Sequence, residues 1–307
     1  MQVSVVILNW NAAQDTIRCA RQISAWQQLT PRVWIVDNGS SEDHLPCLHA
    51  FLRDELPNGQ LIRNVRNLGF SGGTNRGIEA ALRHSDAPIL LLNNDATIAE
   101  ADMFRLLAAL DSDPTIGVVG PVILDAEQET VISAGNKDLV WRHQNAIRTP
   151  PPAAVSVAYV SGAVALVRAK LFREVGLLDE HYFFNVEIAD LCRRARQHGY
   201  RTVVEPAARA YHNLNRSSVL RDTLYTYYII RNRFLYIRKF YRGLRLPLTG
   251  FWALYSWLLA WKVQWAGNPG SAQAIRMGLG DGLRGRFGGQ NERVLAACTR
   301  GAKQFPS

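Results

Sequence analysis

Apolar and polar positions follow two rhythms over the first 120 residues. VSVVIL (3–8), RVWIVD (32–37) and PILLLN (88–93) are short continuous apolar runs closed by polar clusters, the pattern of strands buried on both faces. Between them, apolar residues recur every three or four positions from about Asp15 to Gln28, within SEDHLPCLHAFLRDEL, from Gly73 to His84 and over 100–111. That spacing predicts amphipathic helices. QLIRNV and IGVVGPVIL add two further strands. Strand and helix alternate at βαβ spacing, which predicts an α/β fold: a mostly parallel sheet, helices on both faces, and ligands at the carboxyl ends of the strands.

The signal weakens from about 121 to 160, and TPPPAA (149–154) marks a loop. VSVAYVSGAVALVRA predicts two strands around Ser161-Gly162, residues 171–200 predict helices, and RTVVEPAARAYH returns to strand. No internal repeat is visible. Within the helical stretch, FFNVEIADL places Glu187 and Asp190 three residues apart in a first helical turn. Acids there favour the helix dipole, and that reading stands beside a sharper one, a general base in an active-site wall.

After Arg221 the pattern changes. TLYTYYIIRNRFLYIRKFYRGLR mixes aromatic and basic residues at helical spacing, and LTGFWALYSWLLAWKVQW (248–265) is apolar and Trp-rich with Lys262 its only charge. A spanning helix needs about 20 apolar residues, so this stretch is borderline short. Trp and Tyr at headgroup level with flanking cations suit a helix pair lying on an anionic membrane, so 221–265 is the expected peripheral membrane contact. An aromatic hairpin packed on the domain or within a homo-oligomer is the plainer alternative. Two regions follow: a domain over 1–220 and a helical extension over 221–307.

Charge sharpens that division. Residues 221–307 hold 14 Lys/Arg against 3 Asp/Glu, whereas residues 1–220 hold 21 against 23, so the whole excess of positive charge lies in the extension. Anionic lipid, a phosphate-bearing substrate and nucleic acid each suit such a segment. No RNP, KH or zinc signature supports nucleic acid. The 48% hydrophobic and 20% charged residues are ordinary for a globular protein. Four scattered cysteines and a strand beginning immediately after Gln2, with no signal-peptide pattern, lead us to expect a reducing, cytoplasmic setting on the inner face of the cell membrane.

Candidate chemistry collects at predicted strand ends: Asn9-Trp10-Asn11, Asp37-Asn38-Gly39-Ser40-Ser41, and Asn93-Asn94-Asp95-Ala96-Thr97. One such cluster is commonly a turn, but three at one sheet edge indicate a ligand crevice. NLGFSGGTNRG (67–77) supplies glycines that let a diphosphate approach the backbone near a helix start, although it matches neither a P-loop nor GxGxxG. Asp95 is the best candidate to hold Mn²⁺ or Mg²⁺, and His212 is a possible nitrogen ligand, though a lone histidine is more often structural.

These stretches in this order, VSVVILNWN, VDNGSSED, RNLGFSGGTNRGI, LLLNND, YVSGAVALVRAKLFREVGLLDEHYFF, EIADLCRRARQHGY and AYHNLNRSS, resemble family 2 glycosyltransferases of the GT-A fold. The likeness covers roughly residues 2–220 and is nearest to bacterial enzymes like rhamnosyltransferases and galactofuranosyltransferases.

The resemblance implies inverting, metal-dependent transfer of rhamnose or another hexose from a dTDP- or UDP-sugar to a glycan or polyprenyl-diphosphate-linked acceptor. It implies Asn9 and Asn11 in the nucleotide pocket, Asp37 on the base, and Asn67, Gly69 and Asn75 beside ribose and diphosphate. It places Asn93-Asn94-Asp95 at the metal motif, His212 as the late metal ligand, and Ser161 and Gly162 where the acceptor enters. The family's segment usually reads E-D-x-D-L, with the second acid as general base, and here Ile188 occupies that position. Glu187 is then the preferred base and Asp190, which also suits a salt bridge to Arg193 or Arg194, the second choice. A catalytically silent nucleotide-sugar-binding partner is the alternative. A nucleotidyltransferase is weaker still, for want of an N-terminal Gly-rich loop with a basic residue.

Overall fold

A computed structural model of the 307-residue chain describes residues 2–143, 145–213 and 219–302. The end of the AYHNLNRSS stretch (214–218) and the last five residues lie outside these. The chain divides into two compact units, 1–179 with 188–215, and 180–187 with 216–307. The second unit therefore takes an eight-residue segment from within the range that the sequence pattern assigned to the first domain.

The first unit is built on a ten-stranded mixed sheet. Its strands are β1 Gln2–Asn9, β2 Thr30–Asp37, β3 Gln60–Arg63, β4 Ile89–Asn93, β5 Ala96–Ile98, β6 Ile116–Asp125, β7 Val131–Ser133, β8 Val155–Ser156, β9 Val164–Val167 and β10 Arg201–His212. The order is β3-β2-β1-β4-β9-β6-β10-β5, with β7 on β6 and β8 on β10. β1, β2, β3 and β4 pair in parallel, as do β6 and β10, but β9 runs antiparallel between β4 and β6. The run VALV is buried on both faces whichever way it runs, so its apolar pattern carries no direction.

Successive strand residues serve opposite layers. Val5 and Ile7 of β1 join one core with α1 (Ala13–Ser24), α2 (Leu45–Asp54) and α4 (Glu100–Asp111). Val6 joins the other with α3 (Gly69–His84), α5 (Ala169–Val175) and α6 (Glu187–Gln197). α1 buries Ala13, Ile17, Ala20 and Ile23 at helical spacing. Its ends lie at Ala13 and Ser24 rather than Asp15 and Gln28, because the apolar stripe stops at Ile23. Each fully buried aliphatic side chain contributes about 1.5–3 kcal/mol, so these stripes outweigh the absence of a side-chain N-cap on α1.

The second unit holds α7 (Val219–Phe240), α8 (Arg245–Trp265), α9 (Pro269–Arg284) and α10 (Asn291–Ala302). α7 and α9 approach closely where α9 lacks side chains: a Cβ on Gly278 would meet Tyr227 O at 2.6 Å, and one on Gly282 would meet Phe234 Cδ2 at 2.4 Å. α8 buries Leu248, Trp252, Ser256 and Ala260, a stripe of period four. Its other side exposes Phe251, Leu254, Trp257, Trp261 and Trp265, the last 81% exposed. No helix among the described residues is long and apolar enough to cross a membrane.

Candidate active site

β1, β2 and β4 end side by side at the carboxyl edge of the sheet, and their terminal side chains form one network. Asn9 is fully buried. Its Nδ2 donates to Asp37 Oδ1 at 2.8 Å and to Ser40 Oγ at 3.1 Å, while its Oδ1 accepts from Thr16 Oγ1 at 2.8 Å. Thr16 Oγ1 also accepts from Asn94 Nδ2 at 3.1 Å, which ties the end of β1 to the loop after β4. Asp37, fully buried as well, accepts from the Ser40 backbone N–H at 3.3 Å. Burying a carboxylate is costly without such donors, so Asn9 serves to hold Asp37. Asn11 is exposed, with φ +52°; its N–H donates to Ser40 Oγ at 2.8 Å and its Oδ1 accepts from the Ser41 N–H at 2.9 Å.

Asn38 organises the glycine-rich segment. Its Oδ1 accepts from Asn64 Nδ2 at 3.0 Å and the Leu68 N–H at 3.1 Å, and its Nδ2 donates to Asn67 Oδ1 and Gly69 O, both at 3.0 Å. At about 0.5–1.5 kcal/mol net for each bond, one amide fixes the path of 64–69. Asn67 Oδ1 also accepts from the Gly69 N–H at 2.7 Å. The close approach requires glycine at 39: its φ is +74°, and a Cβ would lie 2.5 Å from the backbone carbon of Arg66. Asn75 pairs with the backbone of Leu178, donating to its O at 2.9 Å and accepting from its N–H at 3.0 Å.

Sheet register brings the two metal candidates together. β5 and β10 pair antiparallel with His212 opposite Ala96, so Asp95 and His212 meet across 117 residues of chain. His212 Nε2 lies 3.0 Å from Asp95 Oδ1, and the Asn213 N–H donates to Asp95 O at 3.0 Å. The Asp95 carboxylate is 7% exposed. Burial first, and the Asp95 charge second, push the neighbouring Cys19 thiol well above its ordinary range. Asn93, the last residue of β4, places its N–H on Ala163 O at 2.9 Å.

One carboxylate and one imidazole fit a hard divalent cation that completes its shell with phosphate oxygens and water. Among the described residues, no group of three His, Cys, Asp or Glu side chains is disposed to hold a metal by itself. Asp125 of β6 pairs in register with His212, but it caps a turn: its Oδ1 accepts from the N–H groups of Glu127 and Gln128, both at 2.9 Å. The amides of Gln128 and then Glu127 hold it below the usual carboxylate range.

Of the two residues expected to face an acceptor, Ser161 uses its Oγ to accept from the Ala163 N–H at 3.3 Å. A Cβ added at Gly162 would meet Ile188 Cγ1 at 3.3 Å. Ile188, 4% exposed, belongs to the apolar core, so the position where the resemblance expects a base is a hydrophobic wall. Asp190 is fully buried and accepts from Arg194 Nε at 2.6 Å. Arg194 also donates to Val175 O and Leu177 O, both at 2.7 Å, so this ion pair pins the turn after α5. Glu187 is the first residue of α6 and is 6% exposed. It belongs to the second unit, whereas Ile188 and Asp190 belong to the first. Thr16, Asn38, Ser40 and Asp125 complete these networks. The last three sit at strand ends, where their polar type was the available signal, but only backbone geometry gives them work.

A family model described as glycosyltransferase-like family 2 matches residues 1–232. The chain is 25% identical over 240 residues to the low-salt glycan biosynthesis hexosyltransferase Agl10 of Haloferax volcanii, covering 76% of this chain and 74% of that protein. It is 26% identical over 234 residues to the N-acetylglucosaminyl-diphospho-decaprenol L-rhamnosyltransferase of Mycobacterium tuberculosis, covering 68% of this chain and 75% of that one. Among solved structures, the mannosyltransferase PcManGT of Pyrobaculum calidifontis, in complex with GDP-Man and Mn²⁺, superposes with TM-score 0.58 at 14% identity over 99% of this chain and 80% of that one. GalNAc-T7 with UDP, GalNAc and Mn²⁺ superposes with TM-score 0.57 at 18% identity, over 75% of this chain and 47% of its own, so the chain spans about half the length of that neighbour. The sheet is thus the GT-A fold that the motifs led us to expect.

Proposed function

Since the chain belongs to glycosyltransferase-like family 2 and is a glycosyltransferase, we propose that it moves rhamnose or another hexose, with inversion, from a dTDP- or UDP-sugar to a polyprenyl-diphosphate-linked or cell-surface glycan. The observation that carries this reading is the Asp95–His212 pair at the same sheet edge as the Asn9–Asp37–Ser40 network. The names of the hexosyl- and rhamnosyltransferase relatives support the sugar class, and that of the mycobacterial relative supports the lipid diphosphate acceptor.

Asp37, held by Asn9 and Ser40, receives the pyrimidine base, with Asn11 at the rim. Asn67 and Gly69, fixed by Asn38, run beside ribose and diphosphate, and Asn75 anchors that helix. Asp95 and His212, next to Asn93, hold Mn²⁺ or Mg²⁺, which when bound neutralises charge on a nucleoside diphosphate leaving group. Ser161 and Gly162 line the acceptor's approach. The acceptor hydroxyl oxygen bonds to the anomeric carbon as the carbon–oxygen bond to the diphosphate breaks, and its proton passes to the Glu187 carboxylate. One in-line displacement inverts the centre and needs no covalent intermediate. The test is to incubate the protein with dTDP- and UDP-sugars, Mn²⁺ and a polyprenyl-diphosphate glycan. Nucleoside diphosphate release matched by glycosylated lipid is expected; donor binding without release from any sugar would sink the reading.

The tail's part is to hold the enzyme on lipid. Trp257, Trp261 and Trp265 form a ladder with successive ring centroids 6.0 Å apart, on a face that also exposes Phe251 and Leu254. Arg242, Arg245 and Lys262 are exposed along the same helix and its entry turn. Indole rings at headgroup depth with cations beside them suit an anionic interface. We expect co-sedimentation with phosphatidylglycerol vesicles to fall about tenfold or more in a Trp257→Asp/Trp261→Asp/Trp265→Asp variant, and to weaken as salt rises. Unchanged vesicle binding together with a switch from dimer to monomer would assign the ladder to self-association instead.

A further inference from the structure

The residues before Glu187 hold a backbone that L side chains disfavour. Phe183, Asn185 and Val186 have φ of +62°, +73° and +77°, three of the five non-glycine positive-φ residues described, and β-branched Val186 is the least suited to it. Within the second unit, their restraint comes from two adjacent residues of α7. Arg231 and Asn232 are both fully buried. Asn232 Nδ2 donates to the carbonyls of Tyr182 at 3.0 Å and of Phe184 and Asn185 at 2.8 Å. Arg231 Nη2 donates to Tyr182 O at 2.8 Å and His181 O at 3.2 Å, and Nη1 donates to Gly288 O.

The two side chains also brace each other. Asn232 Oδ1 accepts from Arg231 Nε at 2.9 Å and Nη2 at 2.8 Å. The guanidinium lies over the Tyr228 ring, 4.6 Å from its centroid, and Phe183 stacks on that same ring at 5.4 Å. Among the described residues no carboxylate pairs directly with Arg231, and its burial lowers its pKa. A buried arginine without a carboxylate partner is tolerated when its donors find acceptors, and here backbone carbonyls take the Nη groups and Asn232 Oδ1 takes Nε. Four consecutive or near-consecutive carbonyls (181, 182, 184 and 185) facing one point force the chain to turn between them. That turn is the left-handed run, and it delivers the chain to α6 at Glu187.

We propose that Arg231 and Asn232 are positioning residues for the transfer reaction: together they latch residues 181–186 and so fix the place of the Glu187 carboxyl. The proposal rests on the reading of Glu187 as base. Asn232→Asp is the selective test, because it keeps the oxygen that braces Arg231 and turns the amide donor into an oxygen facing three carbonyls. Displacing a reacting group by about 1 Å lowers turnover on the order of 100-fold. We therefore expect kcat for transfer to fall about 100-fold in Asn232→Asp, with donor KM and nucleotide-sugar Kd within about threefold of the parent. A kcat within about threefold of the parent overturns the latch. Glu187→Gln measured in parallel separates the two claims. If it is inactive and Asn232→Asp is fully active, the latch alone fails; if Glu187→Gln is fully active, the base assignment fails and takes the latch's catalytic role with it. Should Asn232→Asp not fold, hydrogen exchange of the unmodified protein decides. Amides of 183–187 exchanging as slowly as the core of α7 support the latch, and exchange at open-loop rates overturns it.

Discussion

We expect Asp95→Ala to lower turnover on a nucleotide sugar by about 10³-fold, a loss of roughly 4 kcal/mol of transition-state stabilisation. The magnitude follows from how little else the site offers a cation. Asp95 and His212 are 3.0 Å apart, and among the described residues no group of three suitable side chains is placed to hold a metal. Removing Asp95 leaves one imidazole, which is not enough to keep a hard cation beside a diphosphate. Asp95→Asn is the informative companion, since it keeps the shape and a hydrogen-bonding oxygen for His212 while losing the charge. Nucleoside diphosphate release at saturating donor, titrated with Mn²⁺, reads both variants. Turnover of Asp95→Ala within about threefold of the parent at the same Mn²⁺ concentration would remove Asp95 from the metal site.

We expect Glu187→Gln to lower kcat by about 10²–10⁴-fold, the usual contribution of a general base, and to remove the acid limb of the kcat–pH profile. The neighbouring candidates separate on physical grounds. Ile188 packs in the apolar core against Gly162 and accepts no proton. Asp190 is fully buried and ion-paired with Arg194, which pins Val175 and Leu177. Breaking a buried pair of this kind costs about 3–5 kcal/mol, so loss of Asp190 is read in denaturation midpoints before it is read in turnover. The silent-partner reading draws on the same Ile188 and makes the opposite forecast. If the native site were inert, Ile188→Asp would raise turnover while Glu187→Gln changed nothing.

The sequence displayed the frame of the fold better than its closures. The runs that became β1, β2 and β4 are continuous and apolar, and their polar ends marked the crevice because a strand's carboxyl end is where backbone leaves the sheet. β9 was legible as a strand but not as antiparallel, since a run buried on both faces looks alike in either direction. α3 begins at Gly69 rather than Gly73, because Asn38 captures Leu68 and Gly69 from another loop, a tertiary effect no local propensity encodes. The meeting of Asp95 with His212 depends on β5 and β10 pairing across more than a hundred residues, so only the family likeness linked them in advance. Least legible was the allegiance of 180–187. Its sequence continues the first domain, yet its carbonyls answer to Arg231 and Asn232 of the helical extension.

Two of these closures share a cause: at the start of α3 and at 181–185, an asparagine or arginine bonds backbone groups far along the chain. Such residues are ordinary in composition and leave no period in the pattern. Asn38, itself buried and with four bonds to residues 64–69, shows how much order one polar side chain contributes.

The central claim is metal-dependent sugar transfer, and the most direct test is product analysis on the unmodified protein with Asp95→Ala alongside. With a dTDP- or UDP-hexose, Mn²⁺ and a polyprenyl-diphosphate glycan acceptor, the parent should yield one inverted glycosidic product per nucleoside diphosphate released. EDTA and the Asp95→Ala variant should each stop both. Retention of configuration in the product, or equal product formation in EDTA, would contradict the account.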